Sequence, residues 1–114
     1  MSDAVVLYTT WPDAETAEAA AAEAVAERLC ACANIQSPMT SIYRWEGAIE
    51  RTAEIPVLFK TTAAKAHELC RFLTARHPHE TPCVLALKPG EEGSNPAFLA
   101  WIAAETTIDD HARD

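Results

Sequence analysis

Between residues 40 and 60 the chain reads as one long β-hairpin centred on Trp45-Glu46-Gly47. Thr40-Ser41-Ile42-Tyr43-Arg44-Trp45 alternates β-branched or aromatic residues with polar ones, and the second arm ends in the apolar run Ile55-Pro56-Val57-Leu58-Phe59. A short acidic-glycine segment between two such runs favours a tight turn. Arm length is the constraint. At about 3.3 Å per residue, an arm from residue 48 to residue 60 reaches roughly 40 Å, whereas a compact domain of this size is only about 35 Å across. The ribbon is therefore expected to project past its own core, carrying Ile42, Trp45 and Ile49 with it. Apolar residues on a projecting strand pair need cover, and the simplest cover is another copy of the same chain.

With 114 residues the chain is long enough for one domain with an ordinary core. A net charge of −8 argues against nucleic acid and against an anionic membrane, because both call for a basic surface. No basic segment precedes an apolar one at Met1-Ser2-Asp3-Ala4, and no apolar run approaches membrane-spanning length. The expectation is a cytoplasmic protein. Four cysteines, Cys30, Cys32, Cys70 and Cys83, have neither the spacing of a zinc finger nor a secretory context that would imply disulfides.

Ala4-Val5-Val6-Leu7-Tyr8-Thr9 reads as a central strand buried on both faces. Pro12-Asp13 stops it and caps a helix whose apolar set is Ala17, Ala20, Ala21, Ala24, Val25 and Leu29. A second strand begins at Cys30, with a bulge or kink at Pro38. After the hairpin, Pro56 suggests an edge or a bulge, and Thr61-Thr62 offers a cap for a second helix with Ala66, Leu69, Cys70 and Leu73 inward. His77-Pro78 ends that helix. Residues 83–88 form a further strand, and Asn95-Pro96 starts a short last helix with Phe98, Trp101 and Ile102 on its apolar face. The order predicts an α+β, ferredoxin-like βαββαβ sandwich with a long protruding β-hairpin and a short C-terminal helix. Residues 1–108 are assigned to one domain and residues 109–114 to a solvated tail.

Read together, these stretches resemble the CutA family of divalent-cation tolerance proteins. The resemblance rests on Pro12-Asp13 with Glu15 and Ala17, Glu27-Arg28-Leu29 leading to Cys32-Ala33-Asn34-Ile35, and Ser41-Ile42-Tyr43-Arg44-Trp45-Glu46-Gly47 with Ile49-Glu50. It continues through Lys60-Thr61-Thr62, His77-Pro78, Glu80, Pro82, and Asn95-Pro96 with Leu99, Trp101 and Ile102. It implies a tight homotrimer with hairpins pairing across subunits, and a link to copper and other divalent cations. His79 stands where the family usually has tyrosine, and Cys83 where it often has glutamate.

Two groups of residues are candidates for chemistry. In a regular strand Cys30 and Cys32 would face one side about 7 Å apart, and thiolates suit Cu(I); the plainer reading is two small buried hydrophobes. His77-Pro78-His79-Glu80-Thr81-Pro82-Cys83 gathers imidazoles, a carboxylate and a thiol, a set suited to Cu, Zn or Ni. The candidate metal ligands are thus Cys32, His77, His79, Glu80 and Cys83. His67 and Cys70 are three apart on a helix, but Cys70 belongs to the apolar stripe. Tyr43, Trp45, Lys60 and Trp101 are candidates for a ligand cleft between subunits, with packing anchors the plainer reading for the two tryptophans. No phosphate-cradling glycine loop or nucleophile–base pair emerges, so no enzyme is expected. The reading is an ion-binding protein of the CutA kind, taking copper or another divalent cation near inter-subunit clefts without turnover and with no organic cofactor. Its alternatives are a PII-like trimeric sensor of a small metabolite or nucleotide, and a trimeric interaction scaffold.

Overall fold

A computed structural model describes residues 3–107; the whole tail assigned above, residues 109–114, lies with residue 108 outside that range. The element order is β1 (Ala4–Trp11), α1 (Ala14–Ala26), β2 (Cys32–Ile35), β3 (Met39–Trp45), β4 (Ala48–Thr62), α2 (Ala63–Arg76), β5 (Val84–Leu87) and α3 (Pro96–Thr106). All pairings are antiparallel, in the order β2-β4-β1-β5, with β3 continuing the β2 edge along β4. Helices α1 and α2 cover one face, as the split βαβ arrangement requires.

Local signals place most of these elements. Asp13 caps α1 by accepting the Thr16 N–H at 2.8 Å, and Asn95 caps α3 by accepting the Ala97 N–H at 3.0 Å, ahead of Pro96 at the first turn. Glu46 and Gly47 have φ of 47° and 82°, the type I′ geometry that matches the twist of a two-residue hairpin. Thr62 precedes α2 but makes no side-chain cap bond; the Asp3 carbonyl accepts the Ala63 N–H at 2.7 Å in its place.

The break between β2 and β3 explains both prolines. Residues 36–38 stand opposite only Ile55 and Pro56, a bulge with one extra residue. Gln36 donates to the Pro56 carbonyl at 2.9 Å. Both backbone groups of an antiparallel residue point to one neighbour, so the N–H that Pro56 lacks would have pointed at the bulge. Pro56 therefore sits in a central strand, not at an edge, because its partner strand is interrupted there.

The helix-facing side of the sheet holds Leu7, Trp11, Ile55, Val57 and Phe59 against Ala17, Ala20, Ala21, Ala24, Leu69 and Leu73. Trp11, a residue outside the strand as read from sequence, is fully buried. Its Nε1–H donates to Thr9 Oγ1 at 2.8 Å, and that hydroxyl donates to the Val57 carbonyl at 2.9 Å. The alanines of α1 let the helix lie close to the strands, so this core fills with large residues from the sheet side.

The opposite face corrects the expectation that β1 is buried on both sides. Val6 and Tyr8 are only half-buried, and Leu85 and Leu87 beside them are exposed. Among the described residues, only α3 lies on this back face, packing Leu99 and Ile102 on Ala4 and Ala31. Its far end is tied to α1. Arg28, at φ 60°, closes a Schellman motif in which Leu29 donates to the Ala24 carbonyl and Arg28 to that of Val25, both at 3.0 Å. A glycine would take that angle without strain, but the Arg28 guanidinium reaches the Glu105 carbonyl at 3.1 Å and its carboxylate at 3.5 Å.

Helices α1 and α2 are joined by Arg76, which forms a two-pronged bond to Glu23 at 2.8 and 3.1 Å and lies 3.6 Å over the Phe72 ring. The Arg76 hydrogen bonds hold the Glu23 carboxyl below its ordinary range. A depressed folded value gives stability that is present above the unfolded carboxylate range and lost as pH falls through the folded value. Glu23→Gln should therefore unfold more easily than wild type at pH 7, with the gap closing as the solution is acidified below about pH 4. Urea unfolding of both proteins across pH would show it; a gap independent of pH would exclude this account.

Candidate functional site

The hairpin stands away from the body. Only residues 48–54 of β4 pair with β3; from Ile55 onward the strand runs inside the main sheet. Ile42, Trp45 and Ile49 are 58%, 54% and 63% exposed. The chain extends 50 Å along its longest axis, with a radius of gyration of 15.3 Å, against about 13 Å for a compact chain of this length. Ile42 pairs with Arg51 and Arg44 with Ile49, which puts both isoleucines on one face of the ribbon; Tyr43 and Trp45 take the other. Both faces thus carry uncovered apolar surface.

Register carries Tyr43 and Trp45 onto the same side as the back face of the main sheet, where Lys60 lies between Val6 and Cys32. The Lys60 ammonium sits 5.3 Å from the centre of the Phe98 ring, and Phe98 packs on Trp101 with 5.4 Å between ring centres. The four candidate cleft residues therefore share a face but form two groups. Twelve residues of β4 separate Lys60 from Ala48, the partner of Trp45, roughly 40 Å along the strand. One chain cannot close a pocket around all four. Phe98, read from sequence only as helix packing, joins the Lys60 group; its contact lies 38 residues along the chain from Lys60, beyond any local pattern.

The cysteines separate. The strand begins at Cys32, not Cys30, so the two do not form a regular same-face pair. Cys30 is buried under the helices, and that burial, with a smaller effect of the nearby Cys32, pushes its thiol up to about 12. It is a thiol at neutral pH. Cys32 is half-buried opposite Lys60, Cys83 is half-buried ahead of β5, and Cys70 lies 4.0 Å from the Thr74 hydroxyl with His67 exposed.

His77, one of the candidate ligands, has no ring nitrogen to spare. Its Nε2 lies 2.7 Å from the Thr10 carbonyl oxygen, and its Nδ1 lies 3.0 Å from the His79 backbone nitrogen. A carbonyl only accepts and an amide N–H only donates, so the ring is the neutral tautomer protonated at Nε2. It also stacks on Trp11 with centres 4.5 Å apart. His79 and Glu80 are exposed. Among the described residues, no three His, Cys, Asp or Glu side chains gather closely enough to hold a metal ion. The donors present suit borderline and soft ions, but a single chain does not complete a coordination shell from them.

With this architecture established, comparison with known proteins is decisive. A family model described as CutA1 divalent ion tolerance protein matches residues 5–105. The chain belongs to the CutA1 divalent ion tolerance family. The divalent-cation tolerance protein CutA of Citrobacter koseri is 39% identical over 102 residues, covering 90% of this chain and 87% of that protein. The crystal structure of CutA from Xylella fastidiosa superposes with a TM-score of 0.87 at 36% identity, over 93% of this chain and 100% of that one. CutA from Archaeoglobus fulgidus, described as periplasmic, gives 0.85 at 34% identity, over 91% and 99%. No helix among the described residues is long and apolar enough to cross a membrane.

Proposed function

We propose that this CutA1-family protein is a cytoplasmic homotrimer that binds copper or another divalent cation near its inter-subunit clefts and performs no turnover. The observation that supports the assembly is the open back face, with Tyr43 and Trp45 at one end and Lys60, Phe98 and Trp101 at the other. A neighbouring copy laying its ribbon along that face would cover the exposed leucines of β5 and bring the two aromatic groups together. Cys32, His79, Glu80 and Cys83 are the donors proposed for the ion, with completion by a second copy or water, since no single-chain cluster of three exists among the described residues.

Titration of the tag-free protein with Cu(I), Cu(II) and Zn(II) tests the reading. Binding tighter than about millimolar is expected, weakened at least about tenfold when Cys32, His79 and Cys83 are replaced together. No binding, or binding indifferent to those replacements, would end it.

One observation favours a second reading. Lys60 is half-buried, and its ammonium meets only the Phe98 ring, with no carboxylate partner among the described residues. A charge so placed suits an anionic metabolite at the interface. A rise in melting temperature with an anionic metabolite and no ion present, abolished by Lys60→Met, would support this sensor over the ion-binding reading.

A further inference from the structure

Charge sorts the two faces of the ribbon. Tyr43 and Trp45 share their face with Glu50 and Glu54, which stand opposite Tyr43 and Met39. Arg44 and Arg51 lie on the other face with Ile42 and Ile49. One face is acidic and aromatic, the other basic and aliphatic. Glu50 is exposed, and no ion pair holds it among the described residues. The back face of the main sheet offers the complement. Strands β1, β2 and β5 and helix α3 contain no lysine or arginine, and between Ile55 and Thr62 the single one is Lys60. Its ammonium lies 5.3 Å from the centre of the Phe98 ring, half-buried, and meets no carboxylate among the described residues. Glu50 of the same chain lies ten residues back along β4, about 33 Å in an extended strand, and cannot reach it.

We infer that Glu50 of a neighbouring copy pairs with Lys60, so that the acidic, aromatic face of each ribbon lies on the back face of the next chain. The inference rests on the assembly proposed above and adds which face of the ribbon lies down and what fixes it. The basic face in that place would set Arg44 and Arg51 beside Lys60, gathering like charges in one half-buried contact. The acidic face instead neutralises a charge that the single chain leaves unanswered. Tyr43, directly opposite Glu50, is carried toward Phe98 and Trp101 by the same placement, and aromatic residues are enriched in interface cores. In a ring of three each copy has two neighbours, and the face with Ile42 and Ile49 stays available to the other one. A dissolved anion would offer Lys60 the same chemistry, but the ribbon's carboxylate comes with every copy.

Charge reversal tests the pairing, read by sedimentation as the concentration at which half the chains are assembled. Glu50→Lys and Lys60→Glu should each raise that concentration at least about hundredfold, because each sets like charges together at the contact. The doubly reversed chain should return to within about tenfold of wild type. Circular dichroism should stay unchanged in all three. Glu18→Lys, exposed on α1 on the far side of the sheet, gives Lys60→Glu the same net charge as Glu50→Lys does and should not rescue it. The neutral variants Glu50→Gln and Lys60→Met should weaken assembly by factors that do not multiply when combined. Single reversals without effect, or a doubly reversed chain as weak as its parents, would overturn the inference by setting Lys60 against another group. Rescue by Glu18→Lys would overturn it by reducing the effect to net charge. A wild type that stays monomeric at every concentration would remove the assembly itself and the inference with it, a pattern distinct from the others.

Discussion

Trp11→Ala is expected to lower the unfolding free energy by about 3–5 kcal/mol, the usual cost of deleting a large, fully buried aromatic side chain. Trp11 is the largest fully buried side chain and anchors three things at once. It fills the core beneath α1, it donates to Thr9 at 2.8 Å, and it supports the His77 ring. Its removal should therefore weaken the loop after α2 as well as the core. Trp11→Phe keeps most of the volume and forfeits the indole N–H, so a loss of only about 1 kcal/mol is expected from the hydrogen bond. Guanidinium unfolding at one fixed chain concentration checks both, since the stability of an oligomer depends on concentration. A cost below about 1.5 kcal/mol for the alanine variant would mean that the site collapses around the gap.

Replacing Ile42 and Ile49 together with lysine should convert the assembled protein to monomers. The two residues lie on one face of the projecting ribbon and are more than half exposed in the single chain. Surface changes of this kind cost the isolated fold about 0.5 kcal/mol or less. In an assembly that covers the ribbon, each isoleucine contributes about 1.5–3 kcal/mol of burial, repeated in every copy, and each lysine would bring an unpaired charge to the contact. Sedimentation velocity should give three chains for the wild type and one for the variant, with unchanged circular dichroism. A variant that remains trimeric would show that the subunits meet elsewhere. A monomeric wild type would remove the inter-subunit clefts on which the proposed function depends.

The features legible in the sequence are those set within a few residues of chain. Glu46-Gly47 specifies the turn because few residue pairs tolerate two successive positive φ angles. Asp13 and Asn95 mark helix starts by the bonds they make two or three residues on. The bulge at Pro38 and the end of α2 before Pro78 follow from the missing N–H and the steric demands of proline. The order of elements came from these local stops together with apolar periodicity, and the motif resemblance to the CutA family extended it to an expected assembly.

The placement of the candidate site was legible only in part. Seven residues from His77 to Cys83 read as one set of donors, because spacing does not reveal which side chain turns inward. His77 turns to Thr10, 67 residues away, and spends both nitrogens there and on His79. Thr62 looked like a cap, but the Asp3 carbonyl arrived at the helix end in its place. Cys30 and Cys32 looked like a pair until the strand began two residues late.

By itself the sequence determined the hairpin, the helix boundaries and the family, since torsional preference, capping and period are properties of neighbouring residues. Only the tertiary structure decided that Trp11 is the centre of the core, that His77 is buried with a fixed tautomer, and that Lys60 and Trp45 lie at opposite ends of one open face. Those outcomes depend on which distant groups meet when the sheet closes against its helices, and burial and hydrogen-bond pairing are properties of that meeting, not of any residue alone.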